Sequence, residues 1–189
     1  MRKFVSAVAL VALALGGCAM SPQQIEVSPK ITVNDAVKSA QTTISVTVYD
    51  DRPGDRIGSR GGVYSETSTI STSADFALSV RSAVELALRQ MGLKVTDSQD
   101  TPQFQVYIDQ LSYTVPEGYV SQVDLKATAR VVVTGGGEVF SGRYSSNIQQ
   151  KLVAAPSDEK NVELVNQVLS DVLGRAFNDG ELKAFLNTL

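Results

Sequence analysis

Histidine is absent from the 189-residue chain, which rules out a Ser-His-Asp or Cys-His nucleophile relay and every histidine-ligated metal site. Lysine, carboxylate and tyrosine chemistry remain open. Cysteine occurs once, at Cys18, so no internal disulfide can form and the fold must rest on its core. A basic stripe of the kind that releases counterions from nucleic acid is also missing. The Lys and Arg residues are scattered among acids and the formal net charge is −3, so no nucleic-acid partner is expected. Apolar runs of any length are confined to the start of the chain, and no later stretch is long enough to make a transmembrane helix.

The start itself is informative. Met1, Arg2 and Lys3 are followed at 4–15 by an uninterrupted run of Val, Ala, Leu and Ser with one Phe. This is the n-region and h-region of a signal peptide. As a helix the run rises about 18 Å, well short of the ~30 Å hydrocarbon core of a bilayer. Leu15-Gly16-Gly17-Cys18 then has the form of a lipobox, in which two small residues give the lipoprotein signal peptidase access to the bond before an acylated cysteine. Residues 1–17 are accordingly expected to be removed and Cys18 to carry acyl chains. Several chains, each contributing about 0.8 kcal/mol per buried CH₂, hold a protein on a membrane where a single myristoyl group would not. Ala19 and Met20 follow the cysteine. Lipoproteins of Gram-negative bacteria that stay in the inner membrane usually have Asp directly after it, so the resemblance implies the periplasmic face of the outer membrane.

Cleavage leaves 172 residues and, with Arg2 and Lys3 gone, a formal charge of −5. That length is one ordinary domain with a tether, and a hydrophobic fraction of 43% is enough for one core. Residues 18–41 hold Pro22, Pro29 and many polar residues with no sustained period, and read as the lipidated N-terminus and tether. Within them 25–27 and 31–33 alternate and suit short extended edges. Residues 42–189 read as a single α+β domain. Ile44, Val46 and Val48 share one face of a strand at 42–49. A Gly-, Ser- and Thr-rich loop follows, with a short hairpin suggested around Ile57 and Val63-Tyr64. Phe76, Val80, Val84, Ala87 and Met91 form one stripe of a helix at 74–91, with Thr72 or Ser73 as its cap and Gly92 as its stop. Strands at 103–113 and 120–134 come next, the second alternating Val123, Leu125, Ala127, Ala129, Val131 and Val133 against polar partners. Gly135-Gly136-Gly137 suits a hairpin turn into a strand at 138–149, where Phe140, Tyr144 and Ile148 recur every four residues. A helix at 158–177 is capped by Ser157, and a short terminal helix can follow at 181–187. The order β-α-β-β-β-α implies an antiparallel-rich sheet of about four main strands with two amphipathic helices packed on one face and the other face wetter.

These residues resemble the YajG family of proteobacterial lipoproteins. The likeness is carried by the Gly17-Cys18-Ala19 junction, by Ile25-Glu26-Val27-Ser28-Pro29 with Ile31, by Asp51-Arg52 after the first strand, and by the pattern of the last long helix at 161–173. It implies a membrane-attached lipoprotein of uncharacterised function and supplies no catalytic residue.

Four constellations carry chemistry worth locating. Ser157 and Lys160 have the S-x-x-K spacing of penicillin-recognising enzymes, though the serine also suits a helix cap. Asp50, Asp51 and Asp55 with Arg52 and Arg56 have the oxygen donors of a hard-cation site but not the EF-hand spacing. Gly58, Gly61 and Gly62 with Arg56 and Arg60 have an anion-cradle composition without a Walker lysine. Tyr107, Tyr113, Tyr119, Tyr144 and Phe140 can form an aromatic platform for a sugar or partner chain, or pack in the core. The sequence therefore assigns no catalytic residue, cofactor or metal site. It points to a non-enzymatic accessory or adaptor domain that contacts membrane lipid through Cys18 and another envelope protein, with an envelope hydrolase using carboxylate or Ser-Lys chemistry on peptidoglycan or acyl esters as the alternative.

Overall fold

The computed structural model describes residues 21–37, 42–61, 65–116, 122–152 and 155–189. Val123, Leu125, Ala127, Ala129, Val131 and Val133 are all fully buried, whereas Asp124, Lys126 and Arg130 between them reach solvent. They belong to β7 (Gln122–Gly135), the middle of an antiparallel meander with β6 (Gln103–Thr114) and β8 (Glu138–Lys151). The β7–β8 turn places Gly136 and Gly137 at φ 60° and 81°, the left-handed conformation that a tight hairpin needs at both central positions. On the other side of β6, β2 (Thr43–Asp50) pairs in parallel and aligns Val46 with Phe104 and Tyr49 with Tyr107.

Among the described residues the sheet has eight strands, where about four main ones were expected. The additions are β1 (Gln23–Ile25), β3 (Arg56–Ser59), β4 (Thr69–Thr72) and β5 (Lys94–Thr96). Strands of three or four residues hold too few alternating positions to register as a period. The sheet is also mixed: the meander and the β3–β4 hairpin are antiparallel, but β1–β4, β2–β5, β2–β6 and β3–β6 are parallel. Ile57 lies in that hairpin, while Val63 and Tyr64 fall outside the described residues.

The described residues form three helices: the two amphipathic ones, α1 (Phe76–Gln90) and α2 (Asp158–Phe177), and the short α3 (Gly180–Leu186) where a terminal helix at 181–187 was expected. Helix α1 lies against β2 and β5, and α2 against β7 and β8. Both share one continuous apolar core with the sheet, and the Phe104 and Phe177 rings meet across it at 5.6 Å. Helix α1 is not capped by Thr72 or Ser73. Asp75 holds the N-cap without a side-chain bond, and Thr72 instead accepts a 2.9 Å bond from the buried Arg52. Helix α2 has the expected cap, Ser157 Oγ accepting from the Lys160 amide at 3.3 Å.

The chain leading into the domain packs on this helix layer. Val27, Pro29 and Ile31 are buried and Ser28, Lys30 and Thr32 exposed, an extended strap with one face inward. Its amides at Ser28, Lys30 and Asn34 donate to Asn166 Oδ1, Ser170 Oγ and Asn178 Oδ1 of α2 and its C-cap at 2.6, 2.8 and 2.9 Å. Four residues of helix rise about 6 Å and two residues of strand about 6.6 Å. Asn166 and Ser170, four positions apart on α2, therefore keep step with the amides of Ser28 and Lys30, and Asn178, eight positions further on, with that of Asn34. No helix among the described residues is long and apolar enough to cross a membrane.

Candidate functional site

The sheet face away from the helices is polar, and one row across it is not merely solvated. Tyr49 on β2 is aligned with Tyr107 on β6, Tyr107 is opposite Arg130 on β7, and Arg130 is opposite Arg143 on β8. The two tyrosine rings stack at 4.7 Å with 16° between their planes. The Arg130 guanidinium lies 4.3 Å from the centre of the Tyr107 ring, a cation–π contact that completes a continuous platform.

Two arginines directly opposite each other on neighbouring strands repel. Asp109 resolves the conflict. Its Oδ1 receives Arg130 at 3.2 Å and its Oδ2 faces Arg143 at 3.4 Å, while Asp51 takes a second contact with Arg130 at 3.2 Å. The hydrogen bond from Arg130 to Asp109, with the charges of Asp109 and Asp51, raises the arginine's pKa and keeps it cationic.

Asp109 reaches this place through a β-bulge. The β6–β7 register shifts between Ile108 and Gln110, leaving Asp109 without a partner on β7 and changing the parity of the strand. Before it, Phe104, Val106 and Ile108 face the core; after it, Leu111 and Tyr113 do. The alternation of 104, 106 and 108 could not by itself reveal this change.

The structure disperses the other constellations. Arg52, its side chain only 2% exposed, pairs with Asp50 at 2.6 Å and lies 3.8 Å over the Phe76 ring, whereas Asp51 turns to Arg130. The three acids assemble no donor set, and no group of three acidic or thiol side chains among the described residues is placed to hold a metal. Gly58 is a close-packing position, since a Cβ there would meet the Tyr113 carbonyl oxygen at 1.8 Å. Arg60 turns inward to Asp158 at 2.6 Å, and Gly62 lies outside the described residues. Lys160 Nζ pairs with Glu163 at 2.7 Å and Ser157 caps α2, so this serine and lysine serve the helix.

Of the described members of the proposed aromatic platform, Tyr107 alone faces the wet side. Tyr113 is buried at 2% exposure. Tyr144 is on the helix side, where its hydroxyl meets Asp179 at 2.5 Å, and Phe140 approaches Phe185 at 6.0 Å. Tyr119 is outside the described residues. Tyr49, Asp109 and Arg143 were not singled out by sequence. The available signal was parity: Tyr49 shares its face with Thr47, and Arg130 belongs to the polar set of β7.

The row offers aromatic faces and guanidinium groups but no nucleophile beside a base. Such groups can hold a ligand by stacking and by charge.

A mixed eight-stranded sheet with one helical layer and one open face defines an α+β domain. The family described as "Uncharacterized lipoprotein" matches residues 29–187, and the chain belongs to it: it is a YajG-family bacterial lipoprotein. It is 26% identical over 181 residues to the uncharacterized lipoprotein YajG of Escherichia coli K12, covering 94% of this chain and 93% of that one. Among solved structures, protein XCC0632 from Xanthomonas campestris has a similar fold, with a TM-score of 0.58 at 9% identity over 88% of this chain and 99% of that one. The rare lipoprotein B from Shewanella oneidensis aligns with a TM-score of 0.46 at 16% identity, over 76% of this chain and 95% of that one.

Proposed function

We propose that the chain is a lipid-anchored, non-enzymatic recognition module of the cell envelope, held by acylated Cys18 on the periplasmic face of the outer membrane, with its open sheet face as the binding surface. The row Tyr49–Tyr107–Arg130–Arg143 carries this reading. It combines an exposed aromatic surface with cations whose positions are set by Asp109 and Asp51. The anchor supports it. Only four residues lie between Cys18 and Gln23 at the start of β1, a reach of at most about 18 Å, so the domain works close to the lipid surface. The partner is another envelope component presenting hydroxyl, carboxylate or apolar-ring groups to a flat face.

The test compares the lipidated wild type with a Tyr49→Ala/Arg143→Ala variant. Each is recovered from solubilised envelopes with its bound proteins and, separately, sedimented with purified peptidoglycan. The double variant should lose a partner or the sedimentation that the wild type retains. Identical recovery in both assays would remove the sheet face as the recognition surface. Turnover of peptidoglycan fragments or acyl esters that disappears in Lys160→Ala would instead establish the enzyme.

A further inference from the structure

We infer that β8 is a self-association edge, along which a second copy of this chain adds its own β8 in antiparallel register with Tyr144 at the two-fold axis.

The outer ends of the sheet are managed in two different ways. Strands β1 and β5 are edges of only three residues each, and short edges template little pairing. Strand β8 is a fourteen-residue edge. It pairs with β7 without a register shift from Glu138 to Lys151, and no described strand pairs with its outer side. It holds no proline and no bulge, and Arg143 is its one charge between those two end residues. The devices that normally blunt a long edge are therefore largely missing.

The occupant follows from the strand's own symmetry. Phe140, Tyr144 and Ile148 lie on the helix side and are only partly buried, as they would be if further cover came from outside. Their spacing of four on each side of Tyr144 is palindromic. An axis through Tyr144 sets Phe140 opposite the partner's Ile148, twice, and Tyr144 opposite the partner's Tyr144. On the wet side Arg143 meets the partner's Ser145, and Ser141 meets the partner's Asn147. Glu138 and Lys151 meet the partner's Gln150 and Gly137, so no like charges oppose. Sliding the axis to Arg143 puts two arginines face to face. Sliding it to Ser145 places Phe140 opposite the partner's Gln150. An odd shift turns one copy's core side to the other's wet side.

Pairing along one strand is a small interface, but two copies anchored in one membrane meet at a high effective concentration. The dimer would join the two wet faces into one, with the rows ending in Arg143 side by side. That consequence rests on the recognition reading; the pairing does not.

Cys18 is the chain's one cysteine, so in the acylated protein an introduced cysteine is the sole free thiol. Across the proposed axis two Ser145→Cys side chains are diagonal neighbours, about 7–8 Å apart. Two Gln149→Cys side chains are ten residues apart along the strands, about 33 Å. Both positions are exposed. Full-length lipidated protein in native membranes is treated with a short bismaleimide. A covalent dimer is expected from Ser145→Cys and should be lost in Gln149→Cys and in the wild type. No dimer from Ser145→Cys, or equal yields from both positions as in random collision, would overturn the pairing. Tyr49→Ala in the Ser145→Cys background should leave the link intact, which separates this result from failure of the recognition face.

Discussion

The Tyr113 hydroxyl donates a 2.6 Å hydrogen bond to Oδ1 of Asn161, fastening the last turn of the meander's first strand to the first turn of α2. Asn161, with no exposed surface, passes the contact on, its amide donating to Gln23 Oε1 at 2.8 Å. Gln23 in turn donates to the Asp158 carbonyl at 2.8 Å. One chain of polar groups thus links β6, α2 and β1, the described strand closest in sequence to Cys18. Tyr113→Phe keeps the ring but leaves a buried acceptor without its donor, a loss of about 1–3 kcal/mol. Urea denaturation should show a lower midpoint with an unchanged slope, because compactness is not altered.

The same tyrosine gives the fold an alkaline limit. Burial pushes the Tyr113 phenol up against the opposing charge of Arg60, and burial followed by the bond to Asp179 pushes Tyr144 up. Both pKa values are raised on folding. Their contribution is therefore complete below the unfolded-state value near 10, and is lost as pH rises from there through the folded values. Over that window the unfolded chain releases protons that the native state retains, so stability must fall with pH. Unfolding followed from about pH 8 upward should be flat and then decline. Tyr144→Phe should remove about one proton's worth of the slope. A slope unchanged in both Tyr144→Phe and Tyr113→Phe would show that neither phenol is the source.

Asp109 separates the effect of a side chain from that of an inserted residue. Asp109→Ala removes a partly exposed carboxylate between two arginines and should cost no more than about 1 kcal/mol, while loosening Arg143 and Arg130. Deleting Asp109 closes the bulge and sets Ile108, Leu111 and Tyr113 at strict two-residue intervals, so Leu111 and Tyr113 keep facing the core and Gln110 and Ser112 the wet side. The deletion should therefore leave a folded protein with the same core, read by circular dichroism and protease resistance. Loss of the fold in the deletion alone would mean that Asp109 is not an extra residue that the strand can do without.

How much of this was legible from sequence depends on the number of residues that repeat a rule. Strand β7 repeats apolar–polar alternation six times and α2 carries both a stripe and a serine cap, so their type and extent were readable. The glycine turn was readable because only glycine takes two left-handed positions cheaply. Strands β1, β3, β4 and β5 are too short to repeat anything. Their pairing comes from tertiary contacts such as Gly58 against Tyr113 and the Ser73 amide against the Ile25 carbonyl. The row on the wet face was hidden for a different reason. Its four residues sit on four strands, and Tyr49 meets Tyr107 through a parallel register that no local signal encodes. Asn161 looked like one more polar residue in a helix; only the packed structure identifies it as a core position.

The anchor makes the most decisive prediction, because each step depends on the sulfur of a single residue. A basic start, a short apolar run and two glycines bring Cys18 to the position where acylation and cleavage occur in lipoproteins. Cys18→Ser has no thiol to acylate, so residues 1–17 should remain attached and the precursor should accumulate. The variant should keep the wild-type unfolding transition once extracted, since Cys18 precedes every described residue. A chain starting at Met20 behind a conventional signal peptide should be released from envelopes by osmotic shock, whereas the wild type should require detergent. Mass spectrometry of the mature wild type should find the N-terminus at Cys18 with its acyl chains. An unmodified Cys18 would sink the proposed mode of attachment. Density-gradient separation of the two membranes then tests location by itself. Banding with outer-membrane markers is expected from Ala19 and Met20, and banding with inner-membrane markers would overturn that placement while leaving acylation intact.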